Sequence, residues 1–145
     1  MTAKKPLLAL AVSVAAFASA AGAASPDIAG SWSFHTTKFE GCVITGEMTV
    51  AHGRDGAYTC AFKTKQTCGE VIGSATQTCV AKRVGDKLSI KSTVKSFEWS
   101  TGYDPDDFEL TIKSSAYMRG GFASVHEAFT DEAVVEFYRG DAPVS

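Results

Sequence analysis

Four cysteines, three histidines and one aspartate-rich segment hold most of the chemistry open to this sequence. Cys42, Cys60, Cys68 and Cys79 follow one another at gaps of 18, 8 and 11 positions. A zinc site would want closely paired thiolates, of the C-x₂₋₄-C kind, and these gaps offer none. An even number of cysteines behind an export signal favours two disulfides instead. His35, His52 and His126 stand in separate segments without the His-x-His or His-x₃-His spacing of a metal site. Ser124, His126 and Glu127 supply the types of a nucleophile, a base and an orienting acid. Along a strand, however, Glu127 points away from the face that Ser124 and His126 share, whereas a relay needs all three within hydrogen-bond reach. No nucleophile-elbow G-x-S-x-G, phosphate-binding loop or zinc-protease motif is present. The expectation is a non-enzyme with no catalytic residue, resident metal or cofactor.

Two further groups read as surfaces. Asp104, Asp106 and Asp107 could offer oxygens to calcium, which takes six to eight, but the later ligands and the closing glutamate of a calcium loop are missing. Asp-Pro-Asp is also ordinary turn chemistry. The aromatics Phe97, Trp99 and Tyr103 lie in the otherwise polar stretch 97–107. They form a candidate binding loop, since Trp and Tyr supply much interface energy; the competing expectation is a satellite core folded under the loop. Lys87, Lys91 and Lys95 share one face of a strand, either as a cationic ridge or as a solvated outer face carrying cross-strand pairs such as Lys95–Glu109.

The elements that must position these groups are strands. After residue 24, helical periodicity is scarce and period-two alternation frequent, with Gly and Asp at the breaks. Eight strands are expected, at roughly 30–37, 42–51, 56–63, 73–82, 87–96, 107–118, 122–128 and 133–139. Cys42, Ile44, Met48 and Val50 share a face of the second, and Tyr58, Cys60 and Phe62 a face of the third. Leu88 and Ile90 alternate with Lys87, Ser89 and Lys91 on the fifth. On the last strand Ala133, Val135 and Phe137 oppose Val134, Glu136 and Tyr138, and both faces are mixed. Gly120-Gly121 reads as a two-residue hairpin turn with positive φ. If the fifth and sixth strands pair as a hairpin, Val94 faces Leu110 and Lys95 faces Glu109.

Hairpin arithmetic also orders the cysteines. A turn centred near residue 55 sets Cys42 opposite Cys68, and one near 69 or 70 sets Cys60 opposite Cys79. These two pairings are favoured over the other two connectivities. Eight sequential antiparallel strands with short turns indicate an all-β, up-and-down closed barrel, which removes sheet edges; a β-sandwich is the alternative. An eight-stranded barrel is either filled by side chains or just wide enough for one small ligand.

The N-terminus sets the compartment. Lys4 and Lys5 precede an uncharged run from Leu7 to Ala18, and Ala18-Ser19-Ala20 and Ala21-Gly22-Ala23 both fit the small-residue cleavage rule. The run is shorter than the roughly 20 residues of a membrane span. Residues 1–23 are therefore expected to be a signal peptide cleaved after Ala23, or alternatively after Ala20. Removing 23 residues from 145 leaves a single domain of 122, residues 24–145, and losing Lys4 and Lys5 moves the net charge from −2 to −4. That balance argues against a nucleic-acid partner. No second long apolar run is present, so a periplasmic or secreted protein without a membrane span is expected.

Gly30-Ser31-Trp32 at the start of the first strand resembles the Gly-x-Trp pattern of calycin barrels, the group that holds lipocalins and the small bacterial Inh-type inhibitors of secreted metalloproteases. The resemblance implies that Trp32 plugs one barrel end and that Arg139, near the last strand, packs across it. The run from Asp27 to Phe34, followed by Cys42-Val43-Ile44, is similar to the opening of the Inh-type inhibitors. In that family a short free N-terminal arm enters the protease cleft, which here implies Ala24 to Ile28. The chain departs from the family pattern in its second disulfide and its length, and the likeness ends near residue 62. It implies a binding or inhibitory module whose partner is a secreted protease or a small apolar ligand. The alternative is a structural or envelope-interaction protein with a solid barrel core.

Overall fold

A computed structural model describes residues 2–3, 25–99, 102–124 and 133–140, with the side chains of Ala123 and Ser124 left aside. The strands are β1 (Gly30–Thr36), β2 (Cys42–His52), β3 (Tyr58–Cys68), β4 (Val71–Val84), β5 (Lys87–Glu98), β6 (Asp106–Ser114), β7 (Tyr117–Ser124) and β8 (Val134–Tyr138). Each pairs antiparallel with its sequence neighbour, and β8 returns to β1, closing the barrel. The sandwich alternative is thereby excluded. Alternation sends Trp32, Phe34, Met48, Val50, Phe62, Ala81, Leu88 and Ile90 inward. On β8 the inward face is Ala133, Val135 and Phe137. Thr45, Glu47, Thr49, Lys63, Lys65 and Lys82 point outward. An apolar interior with a polar exterior is the reverse of an outer-membrane barrel, whose apolar band faces lipid. No helix among the described residues is long and apolar enough to cross a membrane.

Both disulfides form between directly paired positions. Cys42 faces Cys68 across β2 and β3, and Cys60 faces Cys79 across β3 and β4. The turns at 53–57 and 69–70 are tight, so the hairpin arithmetic holds through these strands.

It fails further along. Leu88, not Val94, faces Leu110, and Glu109 faces Ser89, whose hydroxyl donates to Glu109 Oε1 at 2.7 Å. The expected Lys95–Glu109 pair does not form. A bulge places Lys95 as an extra residue on β5, between Val94 opposite Gln77 and Ser96 opposite Thr76. β5 pairs with β6 over Lys87–Ile90 and then runs on against β4. Where the two strands part, the Asp107 carboxylate accepts the Ser92 N–H at 2.9 Å.

The Gly120-Gly121 turn is a second correction. Both glycines lie inside β7, and neither has positive φ. The turn is at Ser115-Ala116, splitting the expected strand 107–118 in two. Gly120 serves close approach instead: a Cβ there would fall 1.9 Å from the Glu109 carbonyl oxygen.

The start of β1 and the turns at 53–57, 85–86 and 115–116 make one end of the barrel. There the Trp32 indole N–H donates to the Ile28 carbonyl at 2.8 Å, and Arg139 lies over the Trp32 ring, its Cζ 4.4 Å from the centroid. Arg139 also donates to the carbonyls of Ala29 (2.7 Å) and Asp27 (2.8 Å), and Arg83 donates to that of Pro26. Asp27 accepts the Ala29 N–H, and its other oxygen meets His52 Nε2 at 3.2 Å. Of the arm expected over Ala24 to Ile28, Pro26 to Ile28 are thus tied across the barrel floor, with Ile28 fully buried, and Ala24 lies outside the described residues. The reason is stoichiometric: an Arg fork and an indole N–H at a closed end need carbonyl acceptors, and the arm provides them. Of the expected leader, only Thr2 and Ala3 fall among the described residues.

Candidate functional site: the open mouth of the barrel

Four phenylalanines block the middle of the barrel. Phe34 stacks on Phe137 with centroids 4.8 Å apart, and meets Phe62 and Phe108 edge-on at 5.9 and 5.6 Å. Phe108 meets Phe62 at 5.8 Å and Phe137 at 5.3 Å. The interior is filled here, and space opens above this layer, at the end opposite Trp32. A cleft of about 380 Å³ lies there, walled by Phe39, Trp99, Tyr103 and Phe122. That volume falls toward the lower end of the roughly 300–1,000 Å³ typical of small-molecule sites. The Cys42–Cys68 disulfide borders it through Cys42.

Two of the three aromatics of the candidate loop line this cleft, Trp99 and Tyr103. Phe97 does not; it is 48% exposed and borders a separate cleft of about 360 Å³ on the flank, beside Thr64, Ala75 and Ser96. Trp99 is seated on Gly73, where an added Cβ would lie 1.6 Å from the indole Cε3. The start of β4 thus has to be a glycine for the indole to lie against the rim.

Beneath Tyr103 is a buried polar network that alternation along the strands did not reveal. Asp106 is 3% exposed and Gln77 fully buried. Gln77 Nε2 donates to Asp106 Oδ2 at 2.6 Å, and the Asp106 N–H donates back to Gln77 Oε1 at 2.9 Å. The Tyr103 hydroxyl donates to the same Oδ2 at 3.0 Å, and Thr64 joins through its hydroxyl, 3.4 Å from Gln77 Nε2. Burial pushes the Asp106 carboxyl up to about 6, against the hydrogen bonds from Gln77 and Tyr103, with the charges of Asp107 and Asp104 adding to the rise. Burial also raises Tyr103, helped by the charge of Asp106.

The three aspartates do not assemble. Asp106 faces the mouth, and Asp107 faces the opposite side, toward Ser92 and the Lys91 ammonium at 3.6 Å. Among the described residues no three His, Cys, Asp or Glu side chains come together to hold a metal ion. Lys87, Lys91 and Lys95 are all exposed; Lys87 donates to the Thr111 hydroxyl at 2.7 Å. His35 stacks on Tyr138 outside the barrel, and His52 meets Asp27. His126 and Glu127 lie outside the described residues, as does the Ser124 side chain.

The Asp106 environment makes a pH prediction. Its carboxyl binds a proton more tightly folded than unfolded, so the protein gains stability as pH falls from 7 through 6, and the gain is complete below the free-carboxyl value of 3.8. The interval between 3.8 and about 6 corresponds to roughly 3 kcal/mol. Asp106→Asn is expected to melt higher than wild type at pH 7.5 and to lose that gain. Thermal melts of both proteins between pH 7.5 and 4.5 check this; parallel curves would sink it.

Compared with protein-family models and with curated protein sequences, the chain matches none. The calycin likeness accordingly rests on Gly30-Ser31-Trp32 and its neighbours.

Proposed function

We propose that this chain is a non-catalytic binding barrel, exported to the periplasm or beyond, that takes a small ligand in the aromatic cleft at its open mouth. The observation that carries this is the cleft itself: about 380 Å³, four aromatic walls and one buried carboxyl beneath. The filled middle of the barrel supports a shallow site rather than a deep calyx. Two disulfides and no membrane-crossing helix among the described residues are consistent with an extracellular or periplasmic setting.

Protease inhibition by an inserted arm is the weaker reading, because Pro26 to Ala29 are held by the barrel and would have to leave Arg83 and Arg139 to enter a cleft. A purely structural role is supported by the packed interior but leaves the mouth without a use.

The neutral fluorescent probe N-phenyl-1-naphthylamine tests the reading. Wild type should take it up at one equivalent with a response from Trp99. Gly73→Ala displaces the indole and should weaken uptake at least tenfold with little change in melting temperature. No uptake by wild type, or equal uptake by Gly73→Ala, would overturn the proposal.

A further inference from the structure

The charges around the mouth specify the ligand class. The charged residues lining the cleft are Glu40, Asp104 and Asp106, all acidic; no Lys, Arg or His lines it among the described residues. Asp106 differs from the other two in being buried. Both side-chain donors that reach it, Gln77 and Tyr103, reach the same oxygen, Oδ2. Its Oδ1 takes no side-chain donor among the described residues and is not fully enclosed, which leaves it open to the cleft that Asp106 lines. The cleft that Asp106 lines is also lined by the aromatic side chains of Phe39, Trp99, Tyr103 and Phe122.

We infer that the cleft selects a small organic cation, an ammonium carried on an aromatic or apolar body, and that Asp106 receives the charge. The inference rests on the mouth being a ligand site and names what that site prefers. An ammonium N–H supplies the donor that Oδ1 lacks. The aromatic walls favour the same ligand through cation–π attraction, strongest when the cation has shed water. Glu40 and Asp104 at the rim raise the local concentration of cations and repel anions. A neutral alcohol of the same shape would fill the space and donate one O–H but leave the carboxylate charge unmatched, and an anion would meet three carboxylates. A quaternary ammonium would keep the cation–π attraction but lose the hydrogen bond, so a primary amine is the better fit.

Phenethylamine, 2-phenylethanol and 3-phenylpropionate share nearly one shape with three charges, and calorimetric titration at pH 7.5 compares them. The amine should bind at least tenfold more tightly than the alcohol, and the acid should not bind measurably. In Asp106→Asn, the amine and the alcohol should become equal. If that variant fails to fold, Glu40→Gln with Asp104→Asn should still cut amine affinity severalfold and leave the alcohol unchanged. Equal wild-type affinity for amine and alcohol overturns the cation preference while leaving a ligand site at the mouth. Binding of none of the three, with no uptake of the neutral naphthylamine probe, removes the site as well. An amine preference that survives in folded Asp106→Asn overturns the assignment to Asp106.

Discussion

Replacing all four cysteines with alanine is expected to unfold the protein at room temperature. The Cys42–Cys68 link closes a loop of 26 residues and Cys60–Cys79 one of 19. By chain entropy each is worth roughly 3 kcal/mol, so together about 6, against a usual stability of roughly 5–15 kcal/mol for a domain. Because Cys60 lies inside the first loop, the second closure removes less freedom than it would alone, and the sum is an upper figure. The two pairs should not cost the same. Cys60 and Cys79 are 7% and 6% exposed, so replacing them also opens space in the core; Cys42 and Cys68 are half-buried at the rim. The Cys60→Ala, Cys79→Ala protein should therefore lose more stability than Cys42→Ala, Cys68→Ala, while the rim pair should weaken ligand uptake more. Urea unfolding followed by Trp32 fluorescence measures both. A cost below about 1 kcal/mol for either pair would contradict the entropic account.

The staples join only β2, β3 and β4. The rest of the barrel closes without covalent help, across two short seams: β5 on β6 over Lys87–Ile90, and β1 on β8 over Ser33–Thr36. Opening should start at these seams, since local unfolding follows the least-paired backbone. The β5–β6 seam runs from the closed end up to the Phe108 layer; above it the strands part toward the mouth, where β5 runs past Asp107 and Tyr103 precedes β6. A ligand held between Tyr103 and Phe39 beyond β1 would span the part of the barrel that its own strands hold least.

How much of this was legible in the sequence depends on the distance over which each feature is decided. Cys42 opposite Cys68 and Cys60 opposite Cys79 follow from tight turns, because a short hairpin transmits register from its turn. Val94 opposite Leu110 was expected from the same rule and failed, because β5 and β6 are joined by a long connection, not a tight turn that would transmit the register. Gly120-Gly121 misled because glycine serves two ends, positive φ and close approach, and the second depends on the facing strand. Asp104-Pro105-Asp106 read as turn chemistry and Asp107 as the first residue of a strand; that Asp106 is buried under Tyr103 and Asp107 bonds Ser92 depends on where β6 enters the barrel. Gln77 gave a hint, as a polar residue in phase with Ala75, Cys79 and Ala81 on the inward face of β4. The seat of Trp99 on Gly73 links positions 26 apart and has no local signal.

Phe34→Ala is expected to cost about 4 kcal/mol, in the range for deleting a buried aromatic side chain. Phe34, like Phe108, touches all three of its partners in the blocking layer, stacking on Phe137 and meeting Phe62 and Phe108 edge-on. Each such pair adds about 0.5–1.5 kcal/mol beyond the area buried. The barrel wall is a closed hydrogen-bonded sheet and cannot collapse inward to fill the space, so the cavity term should remain large. Phe34→Leu should cost less than half as much. The ring also leans on Gly46, where a Cβ would lie 2.5 Å from Phe34 Cζ and 2.3 Å from the Lys63 carbonyl oxygen. That second contact decides a further outcome. Gly46→Ala added to Phe34→Ala should not restore stability, because losing the ring leaves the backbone clash in place. Urea titrations of the single and double variants, read by Trp32 fluorescence, test this. Recovery in the double variant would mean that the ring, not the β3 backbone, sets the need for glycine at position 46.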